Sequence, residues 1–198
     1  VLLKVFNEDY SKIVNMEEIA EQSYDMMEAY MMAQDMVEVK LEEGNAMLKQ
    51  VGRTFAAAHN ITLTEDKSEL GEMIDVVHKL NVYYRQVYLI FFKAYKQEVF
   101  MLEAMEKGNI TGMEQNKSSL LKYAEDGLKK LESIKPYEGD ASVLNACKTM
   151  LKFYVKEVNG GMKNISDYFL VKERWEATEK EFKQKRNPSK EEVNAYNK

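Results

Sequence analysis

Apolar residues recur along this chain at steps of three and four, the spacing of a helix stripe, and no stretch sustains the alternation of a half-buried strand. The strongest run is 70–105. Leu70, Ile74, Val77, Asn81, Tyr84, Tyr88, Phe91, Tyr95, Glu98, Leu102 and Met105 alternate steps of four and three, a heptad seam interrupted at Asn81 and Glu98. Leu80, Val87, Ile90 and Phe92 widen the stripe, so the middle of this helix is expected to be buried on most sides. About forty residues of helix would extend ~60 Å.

A similar stripe precedes it from Tyr10 to His59 without a proline: Ile13, Ala20, Tyr24, Met27, Met31, Val37, Leu41, Leu48, Val51, Phe55. One helix is predicted there, bending near Gly44–Asn45, with Asn60–Lys67 as the first loop. A break is predicted at Lys107–Gly108–Asn109, with Thr111 and Glu114 as a capping box for the next helix. That helix carries Leu120, Ala124, Leu128, Leu131 and Ile134, and Pro136 ends it. Asp140 is the next expected N-cap, followed by Val143, Cys147, Met150, Tyr154 and Val158. Gly160–Gly161 marks a kink or short break. Ile165, Phe169, Trp175 and Phe182 continue sparsely, Asn187–Pro188 stops the helix, and Ser189 with Glu192 caps a last short one.

The fold class is therefore all-α: an elongated antiparallel bundle of long helices with short connections, one helical-bundle domain over residues 1–198. A weak echo suggests an internal duplication. Leu2–Phe6 resembles Met150–Tyr154, and Phe55–Asn60 resembles Phe182–Asn187. The repeat halves would be 1–67 and 68–198, the first truncated at its N-terminus. The chain opens at Val1 rather than Met and is read as a fragment or a processed form, with no signal peptide visible in its first residues.

Composition narrows the classes. The chain has 198 residues, 45% apolar and 31% charged, with net charge −5, enough apolar material for a core. The longest unbroken apolar run, Val87–Phe92, falls far short of the roughly 20 residues that span a bilayer. Residues 1–48 hold eleven acids against three lysines, net −8, and the rest is net +3. No concentrated basic face suggests nucleic acid.

Catalytic and metal constellations are sparse. There are two histidines, His59 and His78, and one cysteine, Cys147. Asp75-x-x-His78, with Glu72 a turn earlier, is the nearest approach to the carboxylate–histidine pairs of di-iron bundles, and the second pair is missing because Ala56 stands three before His59. Cys147 lies on an apolar stripe, where an inert thiol is expected. Neither a nucleophile elbow nor a phosphate-binding glycine motif occurs. No catalytic residue, metal or cofactor is expected. Asn60, Asn109, Asn116 and Asn164 match the glycosylation sequon and are read as capping residues.

Two features invite a binding role. Tyr83, Tyr84, Tyr88, Phe91, Phe92 and Tyr95 crowd a few turns around Arg85, and Tyr84, Arg85 and Tyr88 are the candidate ligand-binding residues. Core packing is the competing reading. Seven of thirteen methionines lie between Met16 and Met47, with Met26–Met27 and Met31–Met32 placing Met on two faces of one helix. An exposed methionine face would mark a contact with a partner or a membrane surface.

The stretches Lys107–Asn109, Ser119–Leu131, Gly139–Asp140 and Ala146–Tyr154, with Phe55–Asn60 and Glu192–Asn197, resemble an uncharacterised group of helical envelope proteins of Bacteroidetes and spirochaetes. The resemblance implies a duplicated bundle exported to the cell envelope (periplasm or surface), in some members as a lipoprotein. The lipid-anchoring cysteine is absent here, so an anchor would need a segment outside this chain. The expected function is a non-enzymatic scaffold or binding module contacting an unknown protein partner or envelope component, with no nucleic acid and no transmembrane segment in this chain. The alternatives are a bundle holding a small ligand or metal near Asp75, His78 and Tyr84, or a coiled-coil oligomerisation element built on the 70–105 seam.

Overall fold

The computed structural model describes residues 2–64, 69–184 and 189–196. The described residues form an all-α bundle, as the spacing predicts, and contain no strand; one isolated bridge joins Tyr137 to Asp140. A helical lead, Leu2–Lys4 and then a π-helical Val5–Asp9, runs into α1, Tyr10–Ala20. There follow α2 (Tyr24–Ala58), α3 (Glu69–Glu106), α4 (Ile110–Glu132), α5 (Ser142–Asn159), α6 (Ile165–Gln184) and α7 (Lys190–Tyr196).

The single helix expected over 10–59 is two. Gln22 N–H bonds back to Ile19, and the Ser23 hydroxyl, in extended backbone, accepts from Met26 N–H at 3.2 Å to start α2. A serine side chain satisfying one of the orphan donors of a new helix is enough to break the old one. Gly44, where a bend was expected, lies inside α2. At the far end Asn60 takes φ 55, and Ile61 N–H closes onto the Ala56 carbonyl. This is the left-handed helix exit that asparagine tolerates. Residues 65–67 of the predicted first loop, and the Asn187–Pro188 stop, lie outside the described residues.

The break after α3 falls where expected, with Gly108 at φ 64 and Asn109 N–H bonded to the Ala104 carbonyl. Its cap differs. The Asn109 side chain accepts from Gly112 N–H at 3.0 Å, so Asn109 caps α4 and Thr111 lies within the first turn. Asp140 accepts from Ser142 N–H at 2.7 Å, and these hydrogen bonds hold its carboxyl below the usual range. Gly160–Gly161 separates α5 from α6 through a short 3₁₀ turn, Gly161–Lys163.

Two compact units result, one of residues 1–93 and 134–147, the other of 94–133 and 148–198. This division crosses the sequence halves 1–67 and 68–198. In the first unit α1 doubles back on α2: Val5, Ile13 and Val37 cluster with Tyr30 and Leu41, and Lys40 Nζ meets the Asp9 carboxylate at 2.7 Å. Ala20, Met27, Met31 and Phe92 form a second cluster that ties α2 to α3. In the second unit Met101, Ala104 and Met113 pack with Ile165 and Phe169, while Leu120, Ala124, Leu131, Leu151 and Tyr154 are fully buried.

The seam on α3 is rotated from the expected one. Val87, Ala94, Met101 and Ala104 are buried, each one residue before the expected Tyr88, Tyr95, Leu102 and Met105, whereas Tyr95 and Leu102 are exposed. Small Ala94 and Ala104 sit on the buried line, while Tyr88 is half-buried and Tyr95 exposed beside it. α5 is corrected in the opposite sense: Leu144 and Leu151, each one residue after the expected Val143 and Met150, are buried with Cys147, Tyr154 and Val158.

Candidate functional site

On α3 the expected ligand-binding trio Tyr84, Arg85 and Tyr88 falls within five consecutive positions, and its members meet different neighbours. Tyr84, exposed, stacks on Tyr88 with centroids 5.5 Å apart, and Tyr88 stacks on buried Phe92 at the same distance. Aromatic residues four apart on a helix meet in this way, so the ladder runs from solvent into the Met27–Met31 cluster. Arg85 turns to α2. Its guanidinium pairs with Asp35 and, at 3.0 Å, with Glu38. Burial lowers its pKa from the ordinary value, which the nearby Tyr30 partly opposes.

Glu38 also engages His78, whose Nδ1 lies 3.0 Å from it and whose Nε2 lies 3.8 Å from Glu42. Asp35, Arg85, Glu38, His78 and Glu42 thus form one charged ladder between α2 and α3. Asp75 is exposed on α3. Among the described residues no three His, Cys, Asp or Glu side chains are arranged to hold a metal ion.

Other reactive groups are bound into the packing. Cys147 is buried with its thiol 3.9 Å from the Val87 carbonyl, and desolvation pushes its pKa up to about 11, which leaves it a poor nucleophile at neutral pH. Tyr154 donates its hydroxyl to Glu98 at 2.7 Å, and burial together with that bond raises its pKa. Glu98, a polar interruption of the seam, is thereby given a buried donor.

The methionines of α2 divide as their paired spacing suggests. Met27 and Met31 are core. Met32, Met36 and Met47, with Val39, are exposed at 53–60% and follow one another at helical steps. Asp25 begins the same line and Glu43 interrupts it, both exposed. The result is a stripe of flexible apolar side chains on the most acidic stretch of the chain. A further feature carried no sequence signal: a cleft of about 290 Å³ with Met105, Ile110 and Phe169 against a charged margin of Glu106, Lys172 and Glu176. It arises because α6 returns to the α3–α4 turn, a contact no local pattern encodes.

No protein-family model, curated protein or solved structure matches this chain.

Proposed function

We propose that this protein is a non-enzymatic binding module of the bacterial cell envelope that captures a basic amphipathic helix of a protein partner on the methionine stripe of α2. The observation that carries this reading is the exposed line Met32, Met36, Val39 and Met47, with Asp25 ahead of it and Glu43 within it. Methionine has three rotatable bonds and a polarisable sulfur, so it can repack against varied apolar side chains. The surrounding charge selects among helices. Residues 1–48 carry net −8, which attracts lysine and arginine and repels acidic segments.

Further support comes from the groups that would otherwise suggest chemistry. Arg85 and His78 are engaged by carboxylates, Tyr154 by Glu98, and the Cys147 thiol is buried. The envelope location rests on the family resemblance alone.

The test is calorimetric titration with a short amphipathic helical peptide of leucine and lysine. Binding is expected in the micromolar range and should weaken with salt. A Met32→Gln/Met36→Gln double variant should bind about tenfold more weakly with unchanged helicity. Absence of binding, or equal affinity of the variant, overturns the proposal.

A further inference from the structure

A second unpartnered surface lies on α2 and α3, on a different side of α2. Along α2 the heptad line Val37, Leu41, Gly44 continues as Leu48, Val51 and Phe55. The first part is covered by Val5 and Ile13 of the N-terminal helices, and the second part is bare. Along α3 the line Met73, Val77, Leu80, Tyr84 continues into buried Val87, where Cys147 packs. Upstream of Tyr83, whose ring meets Tyr137, the line is bare too.

The two bare lines face the same way. On α2 the side turned to α3 carries Met27, Met31 and Glu38, and at ~100° per residue the bare line is displaced from it by about 100°. On α3 the side turned to α2 carries His78, Arg85 and Phe92, and its bare line is displaced by about 115° in the same rotational sense. The helices are antiparallel, since Met27–Met31 meets Phe92 while Glu42 meets His78. Equal displacements on antiparallel neighbours bring both lines to one side of the hairpin.

We propose that this side is a self-association surface, on which two copies of the chain pack hairpin to hairpin as a four-helix bundle. Leu48, Val51, Phe55, Met73, Val77 and Leu80 are exposed at 42–66%. They leave on the order of 600 Å² of apolar surface in water, the upper limit of a monomer's largest patch and near the ~800 Å² each partner gives to a standard interface. The steps of four and three are those of knobs-into-holes packing against another helix pair.

The apolar area and its coiled-coil register fit a second copy as the occupant, and the charge on this side does not oppose one. Residues 45–64 hold Lys49 and Arg53 and no acid, whereas residues 69–84 hold Glu69, Glu72 and Asp75 against Lys79. At ~100° per residue Lys49 and Arg53 lie about 130° and 165° from the bare line of α2, and Glu72 and Asp75 about 105° and 165° from that of α3, so the bare side carries few charges and a second copy meets little like-charge repulsion on it. Two copies meeting through residues 1–48 would instead oppose −8 to −8.

Analytical ultracentrifugation of the full chain across a concentration series tests this. The mass is expected to rise from 23.0 kDa towards twice that value. A Val51→Glu/Val77→Glu variant, altered at two exposed positions, should stay monomeric with unchanged helicity. The Met32→Gln/Met36→Gln variant should dimerise as the parent does, which separates this surface from the peptide-docking stripe. A chain monomeric at all concentrations, or a dimer indifferent to Val51→Glu/Val77→Glu, overturns the proposal.

Discussion

Helix α3 carries one heptad line with two fates. In its C-terminal part Val87, Ala94 and Met101 are removed from water. In its N-terminal part Met73, Val77 and Leu80 keep the same register and remain bare. Sequence periodicity reports that a helix has a side to bury, and it is silent on whether the partner belongs to the same chain. α2 repeats the lesson: Val37 is covered by α1, whereas Leu48, Val51 and Phe55 on the same line are not.

Truncation should separate the two regimes most sharply. Leu151→Ala removes a fully buried side chain from the second unit and should cost about 2–5 kcal/mol, combining lost transfer energy with a cavity. Leu80→Ala, on the bare line, should change stability by less than about 0.5 kcal/mol in dilute protein. Denaturant unfolding of both variants, followed by circular dichroism, measures the contrast. Equal losses would mean that the bare line is covered within the single chain.

The same contrast explains what the sequence made legible. Helix content, the breaks at Gly108 and Gly160–Gly161, and much of the buried face of α4 follow from local rules: glycine geometry, capping and the 3.6 period. The choice between Tyr88 and Val87 as core does not. Both positions are apolar enough, and the decision rests on packing from distant parts of the chain, such as Cys147 against Val87. The aromatic cluster drew the candidate ligand site to Tyr84, Arg85 and Tyr88, but Arg85 is spoken for by Asp35 and Glu38, fifty and forty-seven residues away in sequence. The methionine stripe was legible in outline, since adjacent methionines cannot share a face. Which of its faces is bare depended on Phe92 arriving from α3.

Alkali should sharpen the account of the covered end. Cys147 loses its proton near pH 9 in an unfolded chain and at about 11 in the folded one. The folded state disfavours the thiolate, so this contribution is fully present below pH 9 and is lost as pH rises towards 11. Stability should fall over that window, and Cys147→Ala should flatten the fall. Iodoacetamide labelling at neutral pH should be slow in native protein and fast in denaturant. Rapid native labelling would show that the Val87–Cys147 contact opens readily.

The smallest expected effect probes the bare end. Gly52 lies inside α2 between the side facing α3 and the bare line, and a Cβ added there would meet nothing within 4 Å. Gly52→Ala removes unfolded-state entropy without a clash, so it should stabilise the helix by about 0.5–1 kcal/mol and raise the melting midpoint by roughly 1–4 °C. The gain should appear undiminished at low concentration, where the chain is alone. Measured again where the dimer is populated, it reports on the partner's approach. With knobs seated in the Leu48–Val51–Phe55 line, Gly52 stays at the margin and the gain persists, whereas a deeper crossing would place the methyl group against the partner and reverse its sign.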